Sequence, residues 1–132
     1  MNIYRLLILI FLPFLFINGN RQTKLEGKTY VAEIGATCKD GIGMIYTSRI
    51  LKFDKNTVTS SYKVVASVSK ERKNTYEQMY DNLTKVYKWK IEKNVLIFEN
   101  CKEFGTLKIQ NSKIIGYDND WMKAIEFKEQ TK

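Results

Sequence analysis

Between Tyr87 and Tyr117 the chain alternates apolar and polar positions in short runs: Tyr87-Lys88-Trp89-Lys90-Ile91, Val95-Leu96-Ile97-Phe98-Glu99, Phe104 to Ile109, and Lys113-Ile114-Ile115-Gly116-Tyr117. Polar connectors rich in Asn, Ser, Lys and Glu separate them. β-Branched and aromatic runs with a period of two, broken by such residues, predict hairpin-connected antiparallel strands. A four-strand meander cannot bury its apolar face alone, so the rest of the chain must complete the layer.

Upstream, Tyr30, Ala32 and Ile34 fall on one side of a first strand, and Lys39 to Gly43 reads as a glycine-bearing turn. Met44 to Asp54 forms a second strand whose pattern is untidy. Tyr46 and Ile50 favour one face, Leu51 and Phe53 the other, which predicts a bulge in that strand. From Thr57 to Val68, the positions Val58, Ser60, Tyr62, Val64, Ala66 and Val68 share the side expected inside. The charged run from Ser69 to Asn74 predicts a solvated loop. Beyond it Tyr76, Met79, Tyr80 and Leu83 recur at the spacing of one helical face. With Asn74 as N-cap and Glu77 as its reciprocal partner, this predicts a short helix near residues 75–84. Asp118-Asn119-Asp120 reads as a tight turn; it lacks the glycine and terminal glutamate of a calcium loop. Trp121 to Phe127 supplies the last strand, with Trp121, Ile125 and Phe127 on one face. The fold class is therefore mainly β, an antiparallel up-and-down barrel of about eight strands with one short helix.

The N-terminus changes the picture of where the protein acts. Arg5 precedes the apolar run from Leu6 to Ile17, and Gly19 follows it. A charged start, an apolar middle and a small-residue end predict a signal peptide over residues 1–19, leaving residues 20–132 as a single exported domain, periplasmic or extracellular. The apolar run is short of the roughly 20 residues that cross a bilayer, so no membrane anchor is expected once it is removed. Cys38 and Cys101 are the only cysteines. In an exported chain such a pair is expected as a disulfide, and a bridge so far apart in sequence stabilises by roughly 4 kcal/mol.

Composition narrows the chemistry. The chain has no histidine, which removes the usual general base and the commonest metal ligand. No catalytic motif, metal site or cofactor motif is visible, and an enzyme is not expected. The formal net charge of +8 favours solubility and anionic partners. Lys85, Lys88, Lys90 and Lys93 beside Tyr87 and Trp89 could hold a polyanion, but such lysines are ordinarily a solvated strand face, and no specific nucleic-acid partner is expected.

The opening Leu25-Glu26-Gly27-Lys28-Thr29-Tyr30, together with the meander behind it, resembles the lipocalin-like (calycin) group, whose barrels open on Gly-x-Trp. Here one further residue separates Gly27 from the aromatic, and that aromatic is Tyr30. The helix also falls among the strands, whereas lipocalins place theirs after the barrel. The resemblance implies a small apolar ligand held in the barrel or at its mouth, for which the candidate lining residues are Tyr30, Tyr62, Tyr87, Trp89, Phe98 and Trp121. The alternative is a protein-interaction or inhibitor module with a filled core. Cys38-Lys39-Asp40-Gly41 resembles a Cys-Asp-Gly element of periplasmic lysozyme inhibitors, although a basic chain would be repelled by basic lysozymes.

Overall fold

The computed structural model describes residues 24–38, 44–66 and 70–132. The leader over 1–19, the turn over 39–43 and Val68 lie outside the described residues. The elements run β1 (Thr29–Cys38), β2 (Met44–Phe53), β3 (Thr57–Ala66), α1 (Lys70–Asp81), β4 (Lys85–Glu92), β5 (Val95–Phe98), β6 (Leu107–Gln110), β7 (Lys113–Asp118) and β8 (Lys123–Glu129). All eight strands pair antiparallel with their sequence neighbours, and β8 returns to β1 to close the barrel.

Period-two patterning sets which side faces in. Tyr30, Ala32 and Ile34 are buried in β1, and Val58, Ser60 and Val64 in β3. β2 alternates without interruption, with Ile45, Thr47, Arg49, Leu51 and Phe53 all inside. The bulge predicted for this strand lies instead in β1, between Glu33 and Gly35. Two-residue turns fit the connectors. Asn111 and Ser112, at φ 49° and 62°, both take the left-handed conformation that matches the twist of β6 and β7.

The helix differs from expectation. It begins at Lys70, so the run read as a solvated loop is its first turn and Asn74 is internal. Lysine, arginine and glutamate are good helix formers; their charge marked exposure, not irregular backbone. Lys73 pairs with Glu77 one turn on, at 3.6 Å. No residue of α1 is fully buried.

Its position follows from strand lengths. β3 pairs with β4 only as far as Ser60↔Lys85, while its other edge follows β2 up to Ala66. Residues 61–66 therefore overhang β4 by roughly 20 Å at ~3.3 Å per residue. A helix of 12 residues is about 18 Å long, and α1 packs against β3. It takes the place of the missing part of β4 and shields an edge that would otherwise lie open.

Gly116 in β7 is closely approached by β6 and the residue before it. A Cβ there would lie 2.6 Å from Leu107 Cδ2 and 2.8 Å from the Thr106 carbonyl oxygen, and the backbone cannot yield. Gly116→Ala is expected to cost about 1–3 kcal/mol, measured by chemical denaturation.

Candidate functional site

The interior is occupied by the protein's own side chains in one continuous stack. At its centre lies Arg49, wholly buried on the inward face of β2. Its guanidinium carbon sits 4.5 Å from the Tyr62 ring centre and 4.6 Å from that of Phe104. Above Tyr62, Tyr80 of α1 adds a ring at 5.1 Å. Below Phe104 the contacts pass to Phe98 at 6.0 Å and Phe127 at 5.9 Å, then through Phe98 to Phe53. Phe53 in turn meets Trp89 at 5.1 Å and Tyr30 at 5.8 Å, both edge-on, as ring quadrupoles prefer.

A buried cation needs partners, and four residues supply them, three of them buried. Arg49 Nε donates to Asp118 Oδ2 at 2.8 Å and Nη2 to Asp120 Oδ2 at 3.0 Å. Nη1 reaches Ser60 Oγ at 3.4 Å and Glu103 Oε1 at 3.5 Å. Asp118 and Glu103 are themselves 0% and 3% exposed. Asp118 Oδ1 accepts the backbone N–H groups of Asp120 and Trp121, so the turn after β7 is folded around the carboxylate that Arg49 requires. The connector between β5 and β6, which carries Glu103, is stitched to that turn. Asn119 N–H donates to the Glu103 carbonyl and Asn119 Nδ2 to that of Lys102.

One buried guanidinium against two buried carboxylates leaves an excess negative charge, and Lys85 reaches in to Glu103 Oε1 at 3.5 Å to offset it. The Tyr87 hydroxyl lies beside Glu103 and Cys101. Burial first, and then that carboxyl, hold Tyr87 ionisation well above the ordinary tyrosine range. Burial also raises Tyr30 and Tyr62.

These shifts have a defined sign. A tyrosine whose folded pKa is raised contributes stability that is complete below about pH 10 and is lost as pH rises through the folded value. Tyrosinate absorbance should therefore show a late-titrating group of residues that ionise together with alkaline unfolding. Tyr87→Phe should flatten the fall of stability above about pH 10; an unchanged alkaline profile would contradict the assignment.

The sequence candidates are distributed as follows. Tyr30, Trp89 and Phe98 are buried in the core, and Tyr87 and Trp121 pack partly buried against it. Trp89 Nε1 donates to the Asp54 carbonyl, a structural bond. Tyr62 alone of the six lines the cleft of about 380 Å³ between α1 and β3, with Lys63, Val64, Lys73 and Tyr80. Cys101 is a free, half-buried thiol, and the Cys38 side chain, its expected bridge partner, lies outside the described residues. Of the lysine group, Lys85 is drawn to Glu103 and Lys90 to Glu92 at 2.9 Å. Arg49, Glu103 and Phe104 are interior groups that sequence reasoning does not single out. The signal for Arg49 is the strict alternation back from Phe53 and Leu51.

Further openings flank the interior. β5 and β6 share only Val95↔Lys108 and Leu96↔Leu107, and beyond this seam lies a cleft of about 360 Å³ lined by Ile97, Phe98, Cys101, Phe104 and Leu107 among others. A larger cleft, about 580 Å³, lies where β1, β2 and β3 project past their neighbours. There Ala36, Tyr46 and Val65 stand in one cross-strand row on the outer face. Tyr46 and Val65 are 49% and 50% exposed.

Among the described residues no group of three or more metal-ligating side chains lies together, and no helix is long and apolar enough to cross a membrane. The chain matches no family profile, no curated protein and no solved structure.

Proposed function

We propose that this protein is an exported, non-catalytic interaction module that holds a protein partner on the outer face of its three-strand projection. The observation that carries this reading is a contrast of filling. The Arg49 cluster and the aromatic stack occupy the barrel where a small ligand would sit, while the row Ala36, Tyr46, Val65 is left in solvent. Exposed apolar side chains grouped on one face are the usual mark of an interaction site. Tyrosine at the centre of such a face supplies large contact area at small entropic cost.

The test pairs wild type with a Tyr46→Glu/Val65→Glu variant, both changes lying on a solvent-facing surface. Proteins captured from the host's exported fraction are identified, and each is then purified and titrated directly. A stoichiometric complex weakened at least tenfold by the double substitution is expected. A partner that binds both forms equally would overturn the reading.

A second reading has its own observation: the apolar cleft at the β5–β6 seam falls in the size range of small-molecule sites. It would bring the small-apolar-ligand function to the side of the barrel, with Phe98 in its lining. Native mass spectrometry of protein purified from its host, with tryptophan fluorescence during titration of apolar probes, tests it. A co-purifying molecule displaced by Ile97→Trp would favour this reading over the first.

A further inference from the structure

The edge beside the apolar row specifies the partner's conformation, an inference that rests on the interaction-module reading. β1 pairs with β8 only through Tyr30↔Glu129 and Val31↔Lys128. Above that point no further register pairs join the two strands, and the Lys123 ammonium donates to the Ile34 carbonyl, a side chain standing where a strand N–H would be. Residues 35–38 continue upward, paired with β2 on one side and, among the described residues, with no strand on the other. The corresponding overhang of β3 is covered by α1. Among the described residues the β1 edge has no such cover.

A bulge and an edge lysine are also devices that protect sheet edges, so they do not by themselves indicate a partner. The adjoining surface decides. Ala36, the outward residue of the open edge, is small, and directly across from it stand Tyr46 and then Val65. Glu33 and Lys123 stand at the rim of the same cleft. A protected edge has no use for an apolar shelf at its side. A strand added about 4.8 Å from β1 would bring its alternate side chains onto that shelf beside Ala36.

We infer that the partner docks by strand addition: an extended segment of another protein pairs with residues 35–38 of β1 and sets an apolar side chain against Tyr46. Backbone pairing supplies register and affinity, and the shelf supplies selectivity for alternating apolar residues. The net charge of +8 favours a segment whose other alternate residues are acidic.

The probe is a capped heptapeptide alternating valine and glutamate, compared with the same peptide N-methylated at alternate amides in each of the two possible phases. Titration by calorimetry is paired with amide hydrogen exchange of the full domain. Expected are binding of the parent, protection confined to residues 35–38, and a loss of about tenfold or more for one methylation phase only, since several net hydrogen bonds are removed. Ala36→Glu, checked for folding by circular dichroism, should weaken binding similarly; the methylated peptides test the mode without altering the protein. Equal binding in both phases would overturn strand addition and leave the interaction face standing. No binding of the parent peptide would also overturn it, whereas the Tyr46→Glu/Val65→Glu comparison judges the interaction reading separately. A dimer in native mass spectrometry, lost in Ala36→Glu, would assign the edge to a second copy of this chain and overturn the proposal.

Discussion

Arg49→Met is expected to lower the stability of the barrel by about 3–5 kcal/mol in chemical denaturation, with the denaturant slope unchanged. Methionine keeps most of the packing between Tyr62 and Phe104 but removes the buried cation that Asp118 and Glu103 face. Two carboxylates would then remain in a water-poor interior, with Lys85 reaching one of them from the surface. The cost comes from those stranded charges more than from the lost attraction. Neutralising them should therefore recover stability: Arg49→Met with Asp118→Asn and Glu103→Gln should lie well above Arg49→Met alone. If the single change cost less than about 1 kcal/mol, water would have to reach the cluster and the interior would not be filled as described.

Phe53→Ala should cost a comparable amount, about 3–5 kcal/mol, by a different mechanism. Phe53 is wholly buried and is the shared neighbour of Tyr30, Trp89 and Phe98. Truncation opens a cavity among rings held by several strands, and a closed barrel has little freedom to collapse into it. Met79→Ala on α1 is the control. Met79 is 60% exposed, so its change should stay within about 0.5 kcal/mol. A Phe53→Ala cost as small as that would mean the lower barrel is loosely packed. Tryptophan emission should move in the large-effect variant, because Trp89 is in edge contact with Phe53.

The alternation of side chains was a sufficient guide to the strands because a strand's two faces are set by a period of two, whatever its neighbours. Tyr30, Ala32, Ile34, Val58 and Val64 were legible as inward residues for that reason, and so were the antiparallel order and the barrel. The helix was legible in existence but not in extent. Its first turn is built from charged residues whose propensity is helical and whose solvent exposure resembles that of a loop.

What the local pattern could not reveal is the charge at the centre. Continuing the alternation of Phe53 and Leu51 places Arg49 inside, yet an isolated guanidinium there would be prohibitively costly. Only the closure of the barrel brings Asp118, Asp120 and Glu103, each far away in sequence, to within hydrogen-bonding or ion-pairing distance of it. The bulge belongs to the same class. It was expected in β2, which alternates without interruption, whereas the extra residue in β1 shows only in how that strand pairs with β2.

Most strands, their inward faces and the antiparallel barrel thus follow from short-range periodicity and turn chemistry. Only tertiary structure shows that the barrel interior is filled, that α1 stands in for the missing part of β4, and that, among the described residues, no strand pairs with the β1 edge beside Tyr46. Those three depend on unequal strand lengths and on pairing between groups distant in the chain, which no local pattern encodes.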